Sequence, residues 1–391
     1  MKRPAVAIVV VWLAAANLRA AIFGLQPVLP DIRHELGLSF VATGGLTSMS
    51  IAAIGVASIP GVLVGTWLGA RRTVTLMAVG IGVASLARLL PPDTAMIFGG
   101  TAVLAVCVAF SQPSAVVLLQ RWFAGNVQLA GSVFSNGILL GGTIGASVTP
   151  LIAAWAGWRI SFVVWGVVSL IVALLWVRLT PPADAPLPRL RIAEALRNPR
   201  AWQIAALFTF QNLAYFTAAA WLPFLLAGRT PAYVAWVFTC LNLLPIFPLL
   251  LLPVLRWSYA TSAAYYGANG VLVIVGAAGL ALGTRDLAWV MAFLIGFGCA
   301  AAFVGSMALL PLVARGEAEA SSMTAVVFTA GYLFAFSGPL IAGSLVDRTH
   351  AVTSAFWPSV VGGLLMAVVG LLVPRLLGVK PGADGGAHAA Q

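Results

Sequence analysis

Long apolar stretches recur from one end of the 391-residue chain to the other, separated by short polar segments. A helix of about 20 apolar residues crosses the hydrocarbon core of a bilayer, so each stretch of this length predicts a membrane-spanning helix. Cutting the chain at charged clusters, prolines and turn residues gives twelve such segments: 5–30, 40–68, 73–91, 94–121, 127–155, 159–179, 201–227, 231–256, 259–283, 286–313, 319–346 and 353–377. The pattern therefore predicts an all-α membrane protein with twelve transmembrane helices.

These segments fall into two blocks of six. The longest polar gap, 180–200, is rich in proline and arginine and separates a predicted N-terminal bundle, 1–179, from a predicted C-terminal bundle, 201–380. We expect this gap to be a linker between the bundles. The last residues, 381–391, have a small and polar composition that predicts a disordered tail.

The two blocks share short sequence matches. Val-Phe-Ser-Asn-Gly at 133–137 matches Val-Phe-Thr-Ala-Gly at 327–331 with an offset of 194 residues. Asn17-Leu18 matches Asn212-Leu213 with an offset of 195 residues. Two matches at nearly half the chain length predict pseudo-symmetric six-helix bundles with a ligand site between them, near the midplane of the membrane.

The composition excludes most other classes of protein. Hydrophobic residues make up 61% of the chain and charged residues 8%, and the mean hydropathy of +1.03 exceeds what a soluble domain can bury. The formal net charge is +11, but the basic residues are scattered, without the patch or run that would indicate nucleic-acid binding. The cysteines and histidines are isolated from one another, and no nucleotide-binding motif occurs. We therefore expect no metal, no cofactor and no enzymatic activity.

The distribution of Lys and Arg predicts the orientation in the membrane. Fourteen of these residues fall on the side of the two termini and the central gap, six fall on the other side, and Arg19 lies within a helix. Cytoplasmic loops carry the excess of Lys and Arg, so both termini and the segment 180–200 are predicted to be cytoplasmic.

Two segments resemble a known family. Helix one and its exit read NLRAAIFGLQPVLPDIRHELGLS at 17–39, and helix seven reads FQNLAYFTAAAWLPFLL at 210–226. Both resemble the cyanate and nitroimidazole transporter family, a branch of the major facilitator superfamily, and more general superfamily features occur at 157–162 and 338–343. The resemblance implies the major facilitator fold, with helices one, four, seven and ten around a central cavity, in a bacterial inner membrane. Such a protein transports a small molecule across the lipid bilayer, and we expect a monomer.

The loop after helix two departs from the superfamily pattern. The superfamily gating motif has the form Gly…Asp-Arg…Gly-Arg-Arg, whereas residues 65–72 of this chain keep Gly69, Arg71 and Arg72 but have no Asp. Arg71 and Arg72 are therefore the candidate gating residues, and their expected contacts are helix ends or lipid headgroups.

Arg19 is the strongest candidate for a ligand-binding charge. It lies near the middle of helix one, where a charge costs a few kcal/mol. All ten acidic residues fall at helix ends, in loops or in tails, so no carboxylate at membrane depth is predicted to pair with it. An anion would complete its pairing through the planar guanidinium fork. The alternative is a structural arginine that is hydrogen-bonded to backbone groups.

Other residues are predicted to share the cavity with Arg19. Phe23 and Gln26 follow it at helical spacing on the same face. Leu29-Pro30 matches Leu222-Pro223 with an offset of 193 residues, which aligns Arg19 with Asn212 and Ile22 with Tyr215 of helix seven. Gln211 is adjacent, and Phe208 and Phe216 are expected nearby. Helix four offers Gln112 and helix ten offers Ser306. The predicted substrate-contacting residues are Arg19, Phe23, Gln26, Gln112, Gln211, Asn212, Tyr215 and Ser306. Each uncharged polar residue has the alternative role of joining neighbouring helices.

These observations support three functional hypotheses. The first is a transporter of a small anion, cyanate-like, nitrate-like or a small carboxylate, that works by alternating access with Arg19 as the binding charge. The second is an exporter of small organic compounds such as nitroimidazoles, in which Arg19 is structural. The third is a membrane receptor that transports nothing, although the chain carries no signalling domain. Without Asp, Glu or His at membrane depth, uniport or anion exchange is expected rather than a carboxylate-driven proton cycle.

Overall fold

The computed structural model describes residues 4–90, 94–122, 127–180, 192–249 and 261–376. Within these ranges every regular element is a helix, and no strand occurs. The α-helices are α1 (Pro4–Phe23), α2 (Leu29–Leu36), α3 (Phe40–Leu68), α4 (Ala70–Ala87), α5 (Thr94–Trp122), α6 (Val127–Ala156), α7 (Trp158–Leu179), α8 (Ile192–Arg197), α9 (Pro199–Leu225), α10 (Pro231–Asn242), α11 (Ile246–Leu249), α12 (Ala263–Ala281), α13 (Ala288–Val313), α14 (Glu317–Ala335), α15 (Ser337–Thr349) and α16 (Trp357–Leu376).

The observed helices follow the predicted segments closely. Ten stretches among the described residues are long and apolar enough to cross a membrane. The predicted segment 201–227 corresponds to α9, which is long enough but carries polar residues such as Gln211 and Asn212 along its length. The predicted segment 231–256 begins with α10, and its end lies outside the described residues.

Proline divides two of the predicted helices into consecutive pieces. Helix one consists of α1, a 3₁₀ turn at Gln26–Val28 that contains Pro27, and α2. Helix eleven consists of α14 and α15, and Pro339 lies in the first turn of α15. Proline has no N–H to donate to the preceding turn, so it starts a new helix readily and interrupts a continuous one. The predicted linker also contains the short helix α8, which the sequence analysis did not predict.

In the N-terminal half, residues 4–180, α1 packs directly against the backbone of α6. A Cβ atom placed on Gly141 would lie 2.1 Å from the carbonyl oxygen of Ala16, and one on Gly145 would lie 2.5 Å from that of Ala20. Small residues permit this approach between membrane helices. Asn17 donates a hydrogen bond of 2.9 Å to Ser169 and so ties α1 to α7 as well. These contacts hold α1 within its own half.

The two halves meet at one end of the molecule, called here the closed end and formed by the start of α3 and by α15. The backbone N–H groups of Phe40 and Val41 donate to the Asp347 carboxylate at 3.1 and 2.9 Å. Unpaired N–H groups and a positive partial charge mark a helix N-terminus, so a carboxylate is well placed there. A Cβ atom on Gly44 would lie 2.2 Å from the carbonyl oxygen of Pro339, which shows how closely α3 and α15 approach.

Aromatic and hydroxyl contacts also join the two halves toward this end. The Phe40 ring lies 5.8 Å from that of Trp221 and 5.9 Å from that of Phe224, both in α9. Ser147 of α6 and Thr239 of α10 share a hydrogen bond of 2.9 Å. Contacts from several pairs of helices therefore join the halves at this end.

Candidate functional site

Arg19 lies on α1 between the two halves and is partly exposed. Its Nη2 donates to the Tyr332 hydroxyl oxygen of α14 at 3.4 Å, and its guanidinium carbon lies 5.7 Å from the centre of the Phe23 ring. The ion pairs among the described residues join Arg159 with Glu35 and Arg229 with Asp286, so neither includes Arg19. The guanidinium thus has one long protein hydrogen bond within the described part of the chain.

Phe23 and Tyr332, which contact this guanidinium, belong to a group of rings in mutual contact. The group is called here the aromatic wall and consists of Phe23, Phe208, Tyr215, Phe216 and Tyr332. Phe23 lies 6.0 Å from Tyr215 and 6.2 Å from Phe216, ring centre to ring centre. Tyr332 lies 6.2 Å from Phe216 and 5.4 Å from Phe208. Edge-to-face and tilted pairs at these distances are favourable, and they fix the rings against one another. Phe23 comes from the N-terminal half and the other four rings come from the C-terminal half, residues 192–376.

Two of the polar side chains of α9, Tyr215 and Asn212, donate hydrogen bonds within the protein itself. The Tyr215 hydroxyl donates a short hydrogen bond to Asn242 Oδ1 on α10. The Asn212 side chain donates to the carbonyl oxygen of Phe208, in its own helix, at 2.7 Å. Asn212 therefore satisfies a helix carbonyl, and Tyr215 presents its ring rather than its hydroxyl proton to Phe23.

The remaining predicted residues do not converge on Arg19 through hydrogen bonds. The Ser306 hydroxyl is fully buried and donates to Ala302 of its own helix at 2.6 Å. Gln26 and Gln211 are buried, and Gln26 Oε1 and Gln211 Nε2 have no hydrogen-bond partner among the described residues. Gln112 is half-buried on α5. The contacts given above bring Arg19, Phe23 and Tyr215 together, whereas the other five predicted residues have no such contact with Arg19.

The structure also places residues at the site that the sequence analysis missed. Tyr332 belongs to helix eleven, which the family resemblance does not place around the cavity, although it directly follows the repeat match at 327–331. Asn242 lies within the apolar eighth segment, and its isolated polar side chain is a sequence signal that could have indicated a role at the site. Phe208 and Phe216 were expected nearby, and both are in the aromatic wall.

Arg71 has a defined partner in this structure. Its side chain donates to the Val177 carbonyl at 2.6 Å, and to the Thr180 hydroxyl and carbonyl at 3.1 and 3.3 Å. These groups form the C-terminal end of α7, where unpaired carbonyls attract a cation. Arg72 is exposed. The Arg71 contacts join α4 to α7 within one half, and the gating role of both arginines stays a prediction.

Two cavities lie away from Arg19. The larger, about 600 Å³, is at the closed end, where Asp31, His34 and Arg229 contribute to its lining. The smaller, about 360 Å³, lies between α1 and α6 near their N-terminal ends and is lined in part by Trp12 and Asn136. No cluster of His, Cys, Asp or Glu among the described residues could hold a metal ion. We locate the candidate site at Arg19 because its charge lies within a membrane-spanning helix, contacts the other half through Tyr332, and has no ion pair among the described residues. Arg88 is also buried and has guanidinium nitrogens without a partner among the described residues, but it lies at the end of α4.

The sequence is similar to those of known transporters. The sequence model of the Major Facilitator Superfamily matches residues 11–285. The chain is 26% identical over 377 residues to the 2-nitroimidazole transporter of Escherichia coli (strain K12), covering 93% of this chain and 94% of that protein. It is 24% identical over 366 residues to the cyanate transport protein CynX of the same organism, covering 92% of this chain and 95% of that protein. It is also 25% identical over 377 residues to the uncharacterized transporter YycB of Bacillus subtilis (strain 168), covering 95% of this chain and 92% of that protein.

Solved structures agree on the fold. A bacterial homolog to the human lysosomal transporter Spinster matches with a TM-score of 0.74 at 14% identity, over 95% of both chains. A structure of a proton dependent oligopeptide transporter matches with a TM-score of 0.70 at 16% identity, over 96% of this chain and 98% of that one. Identities this low show the fold alone. Together with the family match and the membrane-spanning helices, they show that the chain belongs to the Major Facilitator Superfamily and is a multi-pass membrane transporter with the twelve-helix, two-bundle fold of that family.

Proposed function

We propose that this transporter carries a small anion by alternating access and that Arg19 binds the negative charge. The observation that supports this most directly is the poor pairing of the guanidinium. A guanidinium has five N–H donors. The described residues offer Arg19 one hydrogen-bond acceptor, the Tyr332 oxygen at 3.4 Å, beyond the usual 2.7–3.2 Å of an N–H···O bond.

The single long hydrogen bond that the described residues offer Arg19 argues against a purely structural role for this residue. A structural arginine at membrane depth offsets the cost of its charge through hydrogen bonds to carbonyls or carboxylates. Arg71 in the same chain shows what such bonding looks like, with three hydrogen bonds to the end of α7. Arg19 has no comparable set among the described residues, so an anion bound in the fork supplies the missing acceptors.

The contacts between the halves support alternating access. Under the predicted orientation, the closed end faces the periplasm, because α3 and α10 begin there and α1 begins at the opposite, cytoplasmic end. The conformation is then closed to the outside, and the site is reached from the cytoplasm. Both termini are cytoplasmic in this proposal, the protein acts as a monomer in the bacterial inner membrane, and each half moves as a unit.

The aromatic wall supports a second candidate function, the export of planar organic compounds such as nitroimidazoles. Flat aromatic rings stack against aromatic side chains, and the wall presents rings from both halves beside Arg19. The relatives named for 2-nitroimidazole and for cyanate transport make both substrate classes reasonable. The two functions differ in whether binding depends on the charge of Arg19.

Binding and stability measured on the same purified variants distinguish these functions. The probes are cyanate, nitrate, acetate and 2-nitroimidazole, and the variants are Arg19→Gln and Arg19→Lys. If Arg19 pairs with an anion, Arg19→Gln loses about two to four decades of anion affinity, since breaking a desolvated charge pair costs about 3–5 kcal/mol. Arg19→Lys keeps the charge but loses the planar fork, so its anion affinity falls less.

The exposed Arg178 provides a matched control. Arg178→Gln removes the same charge at the surface and leaves anion affinity at the wild-type value if the effect is specific to the site. A structural role for Arg19 predicts a lower melting temperature for Arg19→Gln with normal affinity in the protein that remains folded. Wild-type anion affinity in a stable Arg19→Gln protein would refute the proposed function, and retained binding of 2-nitroimidazole alone would favour the exporter.

A further inference from the structure

Tyr332 occupies a distinctive position relative to Arg19, because it reaches the guanidinium from the opposite half. Arg19 is in α1 of the N-terminal half and Tyr332 is in α14 of the C-terminal half. The Tyr332 side chain is 5% exposed, and its ring stands perpendicular to Phe208 at 5.4 Å and 6.1 Å from Phe328. This packing holds the hydroxyl beside the fork.

The hydrogen bond between these two residues leaves the tyrosine proton unused. Arginine is only a donor, so in this contact the Tyr332 oxygen accepts and its own O–H remains available to donate. No acceptor for that O–H occurs among the described residues. Tyr215, the other tyrosine of the aromatic wall, differs in this respect because its hydroxyl donates to Asn242. Tyr332 therefore brings a free donor to within 3.4 Å of the anion-binding fork.

We propose that the Tyr332 hydroxyl donates a hydrogen bond to the anion held by Arg19, which makes Tyr332 a substrate-contacting residue supplied by the second half. This inference rests on the proposed function of Arg19. An oxygen or nitrogen atom of a cyanate-, nitrate- or carboxylate-like anion in the fork lies within reach of a hydroxyl that already contacts the guanidinium. The anion then bridges both halves and replaces the long direct contact between Arg19 and Tyr332.

The bridge selects for anions with an acceptor atom directed at α14. A halide ion can accept from both donors as well, but only at a single spherical atom. An anion with two or more acceptor atoms can accept two parallel N–H bonds from the fork and the hydroxyl bond at separate atoms. We therefore expect nitrate to bind more tightly than chloride in the wild-type protein, and this preference to decrease when the hydroxyl is removed.

Tyr332→Phe is the variant that tests the bridge, because it keeps the ring packing and removes only the hydroxyl. The measurement is the equilibrium binding of nitrate, cyanate and chloride to the purified protein, with the melting temperature recorded alongside. A hydrogen bond to a charged group is lost, so we expect nitrate or cyanate affinity to fall about tenfold or more, while chloride affinity changes less. Tyr233→Phe is the control, since the Tyr233 hydroxyl bonds backbone carbonyls of Arg285 and Asp286 at the closed end.

The outcomes separate this inference from the proposed function. Unchanged nitrate and cyanate affinity in Tyr332→Phe, with the expected loss in Arg19→Gln, would overturn the bridge and leave the role of Arg19 intact. Wild-type anion affinity in both variants would overturn the proposed function itself. A lower melting temperature with unchanged affinity would show that the hydroxyl is structural, which also overturns the bridge.

Discussion

Substitution of glycine by alanine tests two different properties at two positions. At Gly44 it tests movement between the halves, and at Gly141 it tests the stability of the N-terminal half. A Cβ atom on Gly44 of α3 would lie 2.2 Å from the Pro339 carbonyl oxygen, and one on Gly141 of α6 would lie 2.1 Å from that of Ala16. Ordinary van der Waals contact begins at 3.4 Å, so alanine at either position forces backbone apart by about 1 Å in a closely packed interior. The Gly44 contact joins the two halves, whereas the Gly141 contact lies within the N-terminal half.

The two substitutions are expected to cost similar amounts of free energy, but these costs have different consequences. Overpacking of this kind costs typically about 1–3 kcal/mol. If each half moves as a unit, α1 and α6 stay together in every conformation, so Gly141→Ala lowers the melting temperature. Gly44→Ala can relieve its clash by separating the halves at the closed end. The same energy then shifts the conformational equilibrium by about 5- to 150-fold toward opening, and the melting temperature changes little.

Distances between spin labels measure this shift. Ala154 at the end of α6 and Ala232 at the start of α10 are exposed residues of opposite halves near the closed end. Labelled cysteines at these positions, with the buried Cys107, Cys240 and Cys299 replaced, report its opening.

We expect Gly44→Ala to populate longer label distances, and Gly141→Ala to keep the wild-type distances at a lower melting temperature. If Gly44→Ala kept the wild-type distances and lost stability as Gly141→Ala does, the α3–α15 contact would not be a boundary that opens.

Three further predictions follow from the closed end, the basic residues and the acidic residues. Asp347→Asn removes the charge that accepts from the N-terminus of α3, so the same label pair should report opening by about tenfold or more. Asp286→Asn removes an exposed carboxylate paired with Arg229 and should leave the label distances unchanged. Equal effects in both variants would show that Asp347 has no specific role in holding this end closed. A cysteine at position 190 should react with membrane-impermeant reagents only from the cytoplasmic side, and labelling from the periplasm of intact cells would contradict the predicted orientation. In proteoliposomes, an anion gradient should drive uptake at any external pH between about 6 and 8, whereas accumulation driven by a proton gradient alone would contradict uniport or exchange.

Membrane helices are predicted well from sequence because their length and polarity are set by the bilayer. The predicted segment 40–68 is identical in bounds to α3, and 159–179 differs from α7 by one residue. The points at which predicted helices are interrupted were harder to predict, because proline does not always break a membrane helix. Pro113 lies inside the continuous α5, whereas the 3₁₀ turn at Pro27 separates α1 from α2. Tertiary contacts decide between these outcomes, and the sequence does not state them.

The candidate site was predicted only in part. A charge in an apolar segment identifies Arg19 without knowledge of the fold, because a charge at membrane depth is costly in any fold. Its partners depend on how helices rotate about their axes and on which helices meet. The offset between the repeats placed Asn212 opposite Arg19, but its side chain donates to Phe208 in its own helix. Tyr332 was not predicted, because nothing in the local sequence of α14 indicates that it faces α1.

The positions of Arg19 and Tyr332 suggest how anion binding shifts the conformational equilibrium between the two halves. Within the N-terminal half, α1 is fixed by the glycine contacts with α6 and by Asn17, so Arg19 moves with that half. Tyr332 is fixed by Phe208 and Phe328 of the C-terminal half. An anion bound to both residues favours conformations in which the two halves are close at the level of Arg19, and a ligand can shift the equilibrium only by its difference in affinity between conformations. The contacts between the halves at the closed end are a carboxylate on a helix N-terminus, backbone against glycine, aromatic rings and a hydroxyl pair. No ion pair joins the halves there among the described residues, so these contacts separate without leaving a buried charge unpaired. A modest difference in binding energy can therefore shift the equilibrium between the closed and open conformations of this end. A coupling of about 1–3 kcal/mol already changes an equilibrium by about 5- to 150-fold.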